Sequence, residues 1–83
     1  MFYVYILKCR DDTLYTGFTV DLKSRIQTHN KGLGAKYTRG RTPVKLVYYE
    51  EYSTKSEALK REYAIKKLSR KDKLKMIKTE EAI

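Results

Sequence analysis

The sequence predicts an α+β fold, a three-stranded sheet flanked by helices in the order β-β-α-β-α-α. Three observations predict it. Residues 2–9 (FYVYILKC) form a β-branched and aromatic run bounded by the turn-forming pair Asp11-Asp12. A second such run occupies residues 46–52 (LVYYEEY). Two capping boxes, Thr54 with Glu57 and Ser69 with Asp72, mark helix starts in the last third of the chain. With 83 residues, 41% of them hydrophobic, one packed core and one domain over residues 1–83 are expected.

Each element follows from its residues. The first strand is apolar on both parities, with Tyr3, Tyr5 and Leu7 on one side and Phe2, Val4 and Ile6 on the other. Such a strand is covered on both faces and therefore central. Thr13 to Thr19 (TLYTGFT) reads as its hairpin partner. Gly17 within it signals a bulge or a close backbone approach, a structural role. Thr19 is placed to cap a helix over about residues 20–30, with Asp21 in its first turn and Gly32 and Gly34 ending it. Residues 31–45 read as a loop, residues 46–52 as the third strand, and the capping boxes open helices over about 55–68 and 70–78.

Charge and rare residues narrow the function. Nineteen Lys and Arg stand against ten Asp and Glu, a formal net charge of +9, which calls for a polyanionic partner. Nucleic acid fits, and a ribosomal or anionic-lipid surface satisfies the same charge. The single Cys, Cys9, cannot make an intramolecular disulfide or a Cys-based zinc site, and the single His, His29, leaves no His pair for zinc. The apolar start at Phe2–Leu7 is too short to cross a bilayer and lacks the flanks of a signal peptide, so a cytoplasmic chain without a membrane partner is expected.

Several side chains sit oddly for a purely structural reading. Arg25 and His29 are four residues apart on one helix face, about 60° and 20° from the core position Leu22. They are either snorkelling residues at a core boundary or a guanidinium and an imidazole converging on a phosphate. On the following helix, Ala58, Leu59 and Ile65 define an apolar stripe, and Glu62 falls within it. A carboxylate there needs a partner: a buried ion pair, a Tyr hydroxyl, or a divalent cation with water completing the shell. Tyr5 and Tyr15 are either strand core residues or hydroxyls acting on a bound water or phosphate; a phenol titrating near 10 is a poor base unless nearby cations lower it. Residues 31–45 carry Lys31, Lys36, Arg39, Arg41 and Lys45 with no acid, plus Tyr37, a composition suited to phosphate contacts and base stacking. The Lys and Arg of residues 53–83 read mostly as solvated helix faces.

These positions together resemble the GIY-YIG endonuclease superfamily, and most closely its small stand-alone members. Tyr3-Val4-Tyr5 is similar to the first motif and Tyr15-Thr16-Gly17 to the second, with Arg25 eight residues past Gly17, His29 four further on, and Glu62 in REYAIKKL. The ordered set covers nearly the whole chain. The resemblance implies a three-stranded antiparallel sheet flanked by helices and metal-dependent hydrolysis of nucleic-acid phosphodiesters, DNA before RNA, leaving 5′-phosphate and 3′-hydroxyl ends. It implies catalytic roles for Tyr5, Tyr15, Arg25, His29 and Glu62. Glu62 would hold one Mg²⁺ or Mn²⁺, the tyrosines would orient or deprotonate water, Arg25 would stabilise the developing charge, and His29 would assist. Two departures stand out: Tyr3 replaces the first motif's Gly, and no Asn follows Glu62. A nucleic-acid-binding module with weakened or lost chemistry is the alternative on the same scaffold. No base-reading set is evident, which favours structure-selective over sequence-selective binding.

Overall fold

The computed structural model describes residues 1–81, with side chains through Lys78. Its order is β1 (Phe2–Lys8), β2 (Leu14–Thr19), α1 (Leu22–Asn30), a 3₁₀ turn (Lys36–Thr38), β3 (Lys45–Tyr52), α2 (Lys55–Lys66) and α3 (Arg70–Glu81). The sheet order is β2-β1-β3, and both pairings are antiparallel. The two-sided apolar pattern of β1 therefore marks the central strand, as the sequence predicts.

The pleat divides the core in two. Val4 and Ile6 face Ala58, Ile65 and Ile77 of α2 and α3. Tyr5, Leu7, Cys9 and Val44 face the other way, with Tyr15, Leu22, Ile26 and Leu46 packed against them. A register shift lies between Ile6, paired with Tyr48, and Leu7, paired with Leu46, so Val47 has no partner on β1. This bulge flips the alternation of β3: Leu46 joins the Tyr5 face and Tyr48 the Val4 face. No helix among the described residues is long and apolar enough to cross a membrane.

The helix starts differ from the reading in one place. Asp21, not Thr19, caps α1, accepting from the Ser24 amide at 3.1 Å. A carboxylate two residues on outcompetes the hydroxyl, and Thr19 is drawn into a local turn with the Asp21 backbone. The Thr54 hydroxyl accepts from the Glu57 amide at 3.2 Å and donates to the Glu57 carboxylate at 2.9 Å, and Ser69 accepts from the Asp72 amide. Lys31 is the last cap of α1, followed by Gly32 at φ +78°, where glycine is strain-free.

Two side-chain placements correct the sequence reading. Leu59 is not in the α2 stripe and is 40% exposed. The buried line is Ala58–Ile65, and at 100° per residue Arg61 and Glu62 flank it at about −60° and +40° from Ala58. Lys45 belongs to β3, not to the preceding loop. Paired with Lys8 across the strands, it lines a cavity of about 470 Å³ with Leu14, Val47 and Ile77, on the α3 side of the sheet and away from Tyr5.

Candidate active site

The site begins with a missing side chain. Tyr5 on β1 pairs with Gly17 on β2. A Cβ at Gly17 would lie 2.5 Å from Tyr5 Cζ and 3.0 Å from Tyr15 Cε2, so only glycine lets the two tyrosine rings close over this strand. The rings are 6.4 Å apart, and each meets His29 edge-on, Tyr5 at 6.1 Å and Tyr15 at 5.4 Å.

His29 is fully buried rather than placed at the edge of a stripe. Its ring bridges β1 and the loop: Nε2 lies 3.0 Å from the Tyr5 hydroxyl and Nδ1 2.7 Å from Thr38 Oγ1. Burial, helped by the Arg25 guanidinium, holds the imidazole below its ordinary value of 6.5, so it is neutral at pH 7. Burial also raises the Tyr5 phenol above 10; Arg25 opposes this, while Tyr15 and Glu62 add to it. The cationic lowering of Tyr5 that a directly acting base requires is thus outweighed by desolvation. Tyr5, Tyr15 and His29 are thus in mutual contact, and Arg25 and Glu62 act on Tyr5 through their charge.

Glu62 is largely buried, 18% exposed at its side chain, and its partner is Lys66 one helical turn on, at 3.6 Å. Among the described residues no group of three or more His, Cys, Asp or Glu is arranged to hold a metal. A single carboxylate fits Mg²⁺ or Mn²⁺, which retain waters and take phosphate oxygens as ligands, and it does not fit zinc.

Two of the adjacent loop's expected grip residues are engaged within the fold. Tyr37 stacks on Tyr15 at 5.8 Å, and Arg41 lies over the Tyr37 ring at 4.3 Å. The ring, 40% exposed, is thus engaged by both and backs the site tyrosine. Arg41 is bound to Asp11 at 2.9 Å and donates to the Tyr37 carbonyl at 2.6 Å, which clamps the loop. The acid that residues 31–45 lack comes from the β1–β2 turn. Lys31, Lys36 and Arg39 remain exposed on the loop.

Residues outside the motifs complete the setting. Gly34 packs under His29, where a Cβ would fall 2.7 Å from Cγ and 2.9 Å from Cα of that residue. On the other flank of α2, Arg61 forks onto Glu50 at 2.9 and 3.1 Å, and the Tyr48 and Tyr52 hydroxyls donate to the same carboxylate. Burial pushes Glu50 up, but the Arg61 fork and the two hydroxyls outweigh it and hold the carboxyl below its usual range. Tyr48 is pushed up to about 12 by burial and by the Glu50 carboxylate. The Tyr-x-Glu-x-Tyr spacing of residues 48–52, which puts all three on one strand face, was the sequence signal for this network.

The GIY-YIG catalytic domain matches residues 1–76. The chain belongs to the GIY-YIG family. Within the family it is similar to the UPF0213 protein CPE1444 of Clostridium perfringens, 64% identical over 77 residues that cover 93% of this chain and 83% of that one. It is likewise similar to the UPF0213 protein SH2523 of Staphylococcus haemolyticus, 63% identical over 90% of this chain and 92% of the relative. The solution NMR structure of the UPF0213 protein BH0048 from Bacillus halodurans superimposes with a TM-score of 0.62 at 48% identity, covering 95% of this chain and 85% of that one. That of the protein EF2693 from E. faecalis gives a TM-score of 0.64 at 43% identity, covering 98% and 86%. The GIY-YIG domain implies nuclease-type activity on nucleic acid, and the antiparallel sheet with flanking helices agrees with the fold that the motifs imply.

Proposed function

We propose that this GIY-YIG chain is a metal-dependent endonuclease acting as a single domain on DNA, selective for structure rather than sequence, in the cytoplasm. The observation that supports the reading is the cluster in which the Tyr5 hydroxyl meets His29 Nε2 beside the Tyr15 ring, with the charges of Arg25 and Glu62 acting on Tyr5. A free, buried Cys9 accords with a reducing compartment.

The residues support a definite division of labour. Tyr15, the more exposed tyrosine, orients the attacking water. Tyr5 is held protonated, so it accepts the water's proton only as it passes its own to His29 Nε2, leaving an imidazolium. The water oxygen forms the new bond to phosphorus while the bond to the 3′ oxygen breaks, and that oxygen takes a proton from solvent. Arg25 meets the charge that develops on the phosphoryl oxygens. Glu62 would hold one Mg²⁺ or Mn²⁺, which supplies Lewis acidity at the phosphate and the leaving oxygen. Lys66, its present partner, is half exposed and free to swing away. Lys31, Lys36 and Arg39 grip the flanking backbone.

The test is incubation of the protein with branched, nicked, duplex and single-stranded DNA, and with RNA, across Mg²⁺ and Mn²⁺ concentrations. Cleavage that requires metal and falls by at least about 100-fold in both Glu62→Gln and Tyr5→Phe is expected. Salt-sensitive binding without cleavage of any substrate would favour the binding-module alternative. Cleavage unchanged by Glu62→Gln would remove that residue from the chemistry.

A further inference from the structure

The buried chain Tyr5–His29–Thr38–Ala35 has a countable set of protons. The Ala35 carbonyl can only accept, and Thr38 Oγ1 lies 3.0 Å from it. If the single Thr38 hydroxyl proton goes to that carbonyl, Thr38 Oγ1 presents only lone pairs to His29 Nδ1 at 2.7 Å, and Nδ1 must carry a proton. Neutral His29 then has a bare Nε2, which accepts from the Tyr5 hydroxyl at 3.0 Å. Three protons meet three acceptors.

The opposite arrangement does not close. With the proton on Nε2, the ring would donate to the Tyr5 oxygen and Thr38 would donate to Nδ1. The Tyr5 hydroxyl proton would then need another acceptor. Tyr5 is 1% exposed, and among the described residues its hydroxyl has one hydrogen-bond acceptor, His29 Nε2; neither the Glu62 carboxylate nor the Tyr15 hydroxyl is bonded to it, and Arg25 can only donate. A buried hydroxyl proton without an acceptor is disfavoured. His29 and Thr38 are both 0% exposed, so water cannot substitute for the Thr38 hydroxyl without rearrangement.

We propose that Thr38, on the 3₁₀ turn, is a positioning residue that locks His29 in the Nδ1–H tautomer and so keeps Nε2 open to receive the Tyr5 proton. The inference rests on the reading of His29 as proton acceptor for its catalytic consequence, but its structural content stands apart from catalysis. Gly34 is part of the same device, since any side chain there would drive the loop off the imidazole. Lys36 and Arg39 bracket Thr38 on the same turn, which joins the part of the loop that grips phosphate to the part that sets the proton path.

The test is long-range ¹H–¹⁵N NMR of the single histidine in the uniformly labelled native protein, in Thr38→Val and in Thr38→Ser, at pH 7.5 without metal or nucleic acid. The native protein and Thr38→Ser are expected to show a protonated Nδ1 and an unprotonated Nε2. Thr38→Val, with its fold checked by its amide spectrum, is expected to lose that preference. Single-turnover cleavage is expected to fall roughly 10- to 100-fold in Thr38→Val, with KM for DNA unchanged and recovery in Thr38→Ser. A native histidine in the Nε2–H tautomer would overturn the proposal. So would a Thr38→Val protein that keeps the native tautomer. Should Thr38→Val not fold, the native and Thr38→Ser spectra still decide the tautomer. Absence of cleavage in the native protein would count against the nuclease reading and leave the tautomer result standing.

Discussion

At the scale of single residues, burial sets the behaviour of the site. His29 is neutral because its charged form is desolvated and lies in the field of Arg25, while burial keeps the neighbouring Tyr5 phenol protonated. The consequence for stability has a definite sign. Above pH 6.5 both folded and unfolded imidazoles are neutral and this contribution is complete. As pH falls from 6.5 toward the depressed folded value, the unfolded chain binds the proton first and stability declines; below that value the loss stops growing. The urea midpoint of the native protein is therefore expected to drop between pH 7.5 and pH 5.5, and His29→Gln to flatten that drop. An equal drop in both would show that another group titrates. Gly17 makes a second residue-scale case. Gly17→Ala puts a methyl into the Tyr5 ring, and a loss of about 1–3 kcal/mol in denaturant unfolding is expected, together with loss of cleavage as the ring is displaced.

At the scale of elements, α2 is oriented by two opposite flanks of one buried line. Arg61 is forked onto Glu50 of β3, while Glu62, the next residue, lies on the other flank and pairs with Lys66. The clamp ties one flank of the helix to β3 and so restrains its rotation. Arg61→Met leaves the Glu50 carboxylate without its counterion, and a destabilisation of about 1–3 kcal/mol is expected, discounted for the partial exposure of both groups. Glu50→Gln combined with Arg61→Met should recover part of that loss, measured as a double-variant cycle in urea; strict additivity would mean that the two side chains are uncoupled. The elements themselves were legible in the sequence because their signals are local: the two-sided run of β1, the hairpin turn and the capping boxes. Leu59 and Lys45 were misplaced for the reason that local patterns carry no partner. Ala58–Ile65 became the buried line because the sheet lies on that side, and the bulge at Val47 could not be seen in a strand read alone. Thr38 carried no signal and Gly34 only that of a helix stop, since their importance comes from an imidazole that the chain brings to them from another element.

At the scale of the whole molecule, the net charge of +9 is not one undivided field. Folding sorts it. Arg41 is spent on Asp11 and Tyr37, Arg61 on Glu50, and Lys66 on Glu62. Lys8, Lys45 and Lys78 ring a cavity on the α3 side of the sheet. What remains beside Tyr5 and His29 is Lys31, Lys36 and Arg39, on the loop that the composition alone had credited with five grips. Binding reports this sorting through its salt dependence, because each phosphate neutralised on duplex DNA adds about −0.9 to the slope of log K against log salt. Four contacts, these three with Arg25 at the phosphoryl oxygens, give an expected slope of about −3.6 for a catalytically silenced Glu62→Gln protein, measured by fluorescence anisotropy. Lys36→Gln and Arg39→Gln should each make it shallower by about 1, and Lys45→Gln should leave it unchanged. A slope that Lys45→Gln reduces as much as Lys36→Gln does would mean that the nucleic acid wraps onto the α3 face. Both sides of the sheet would then share one substrate, and the loop would no longer define the footprint.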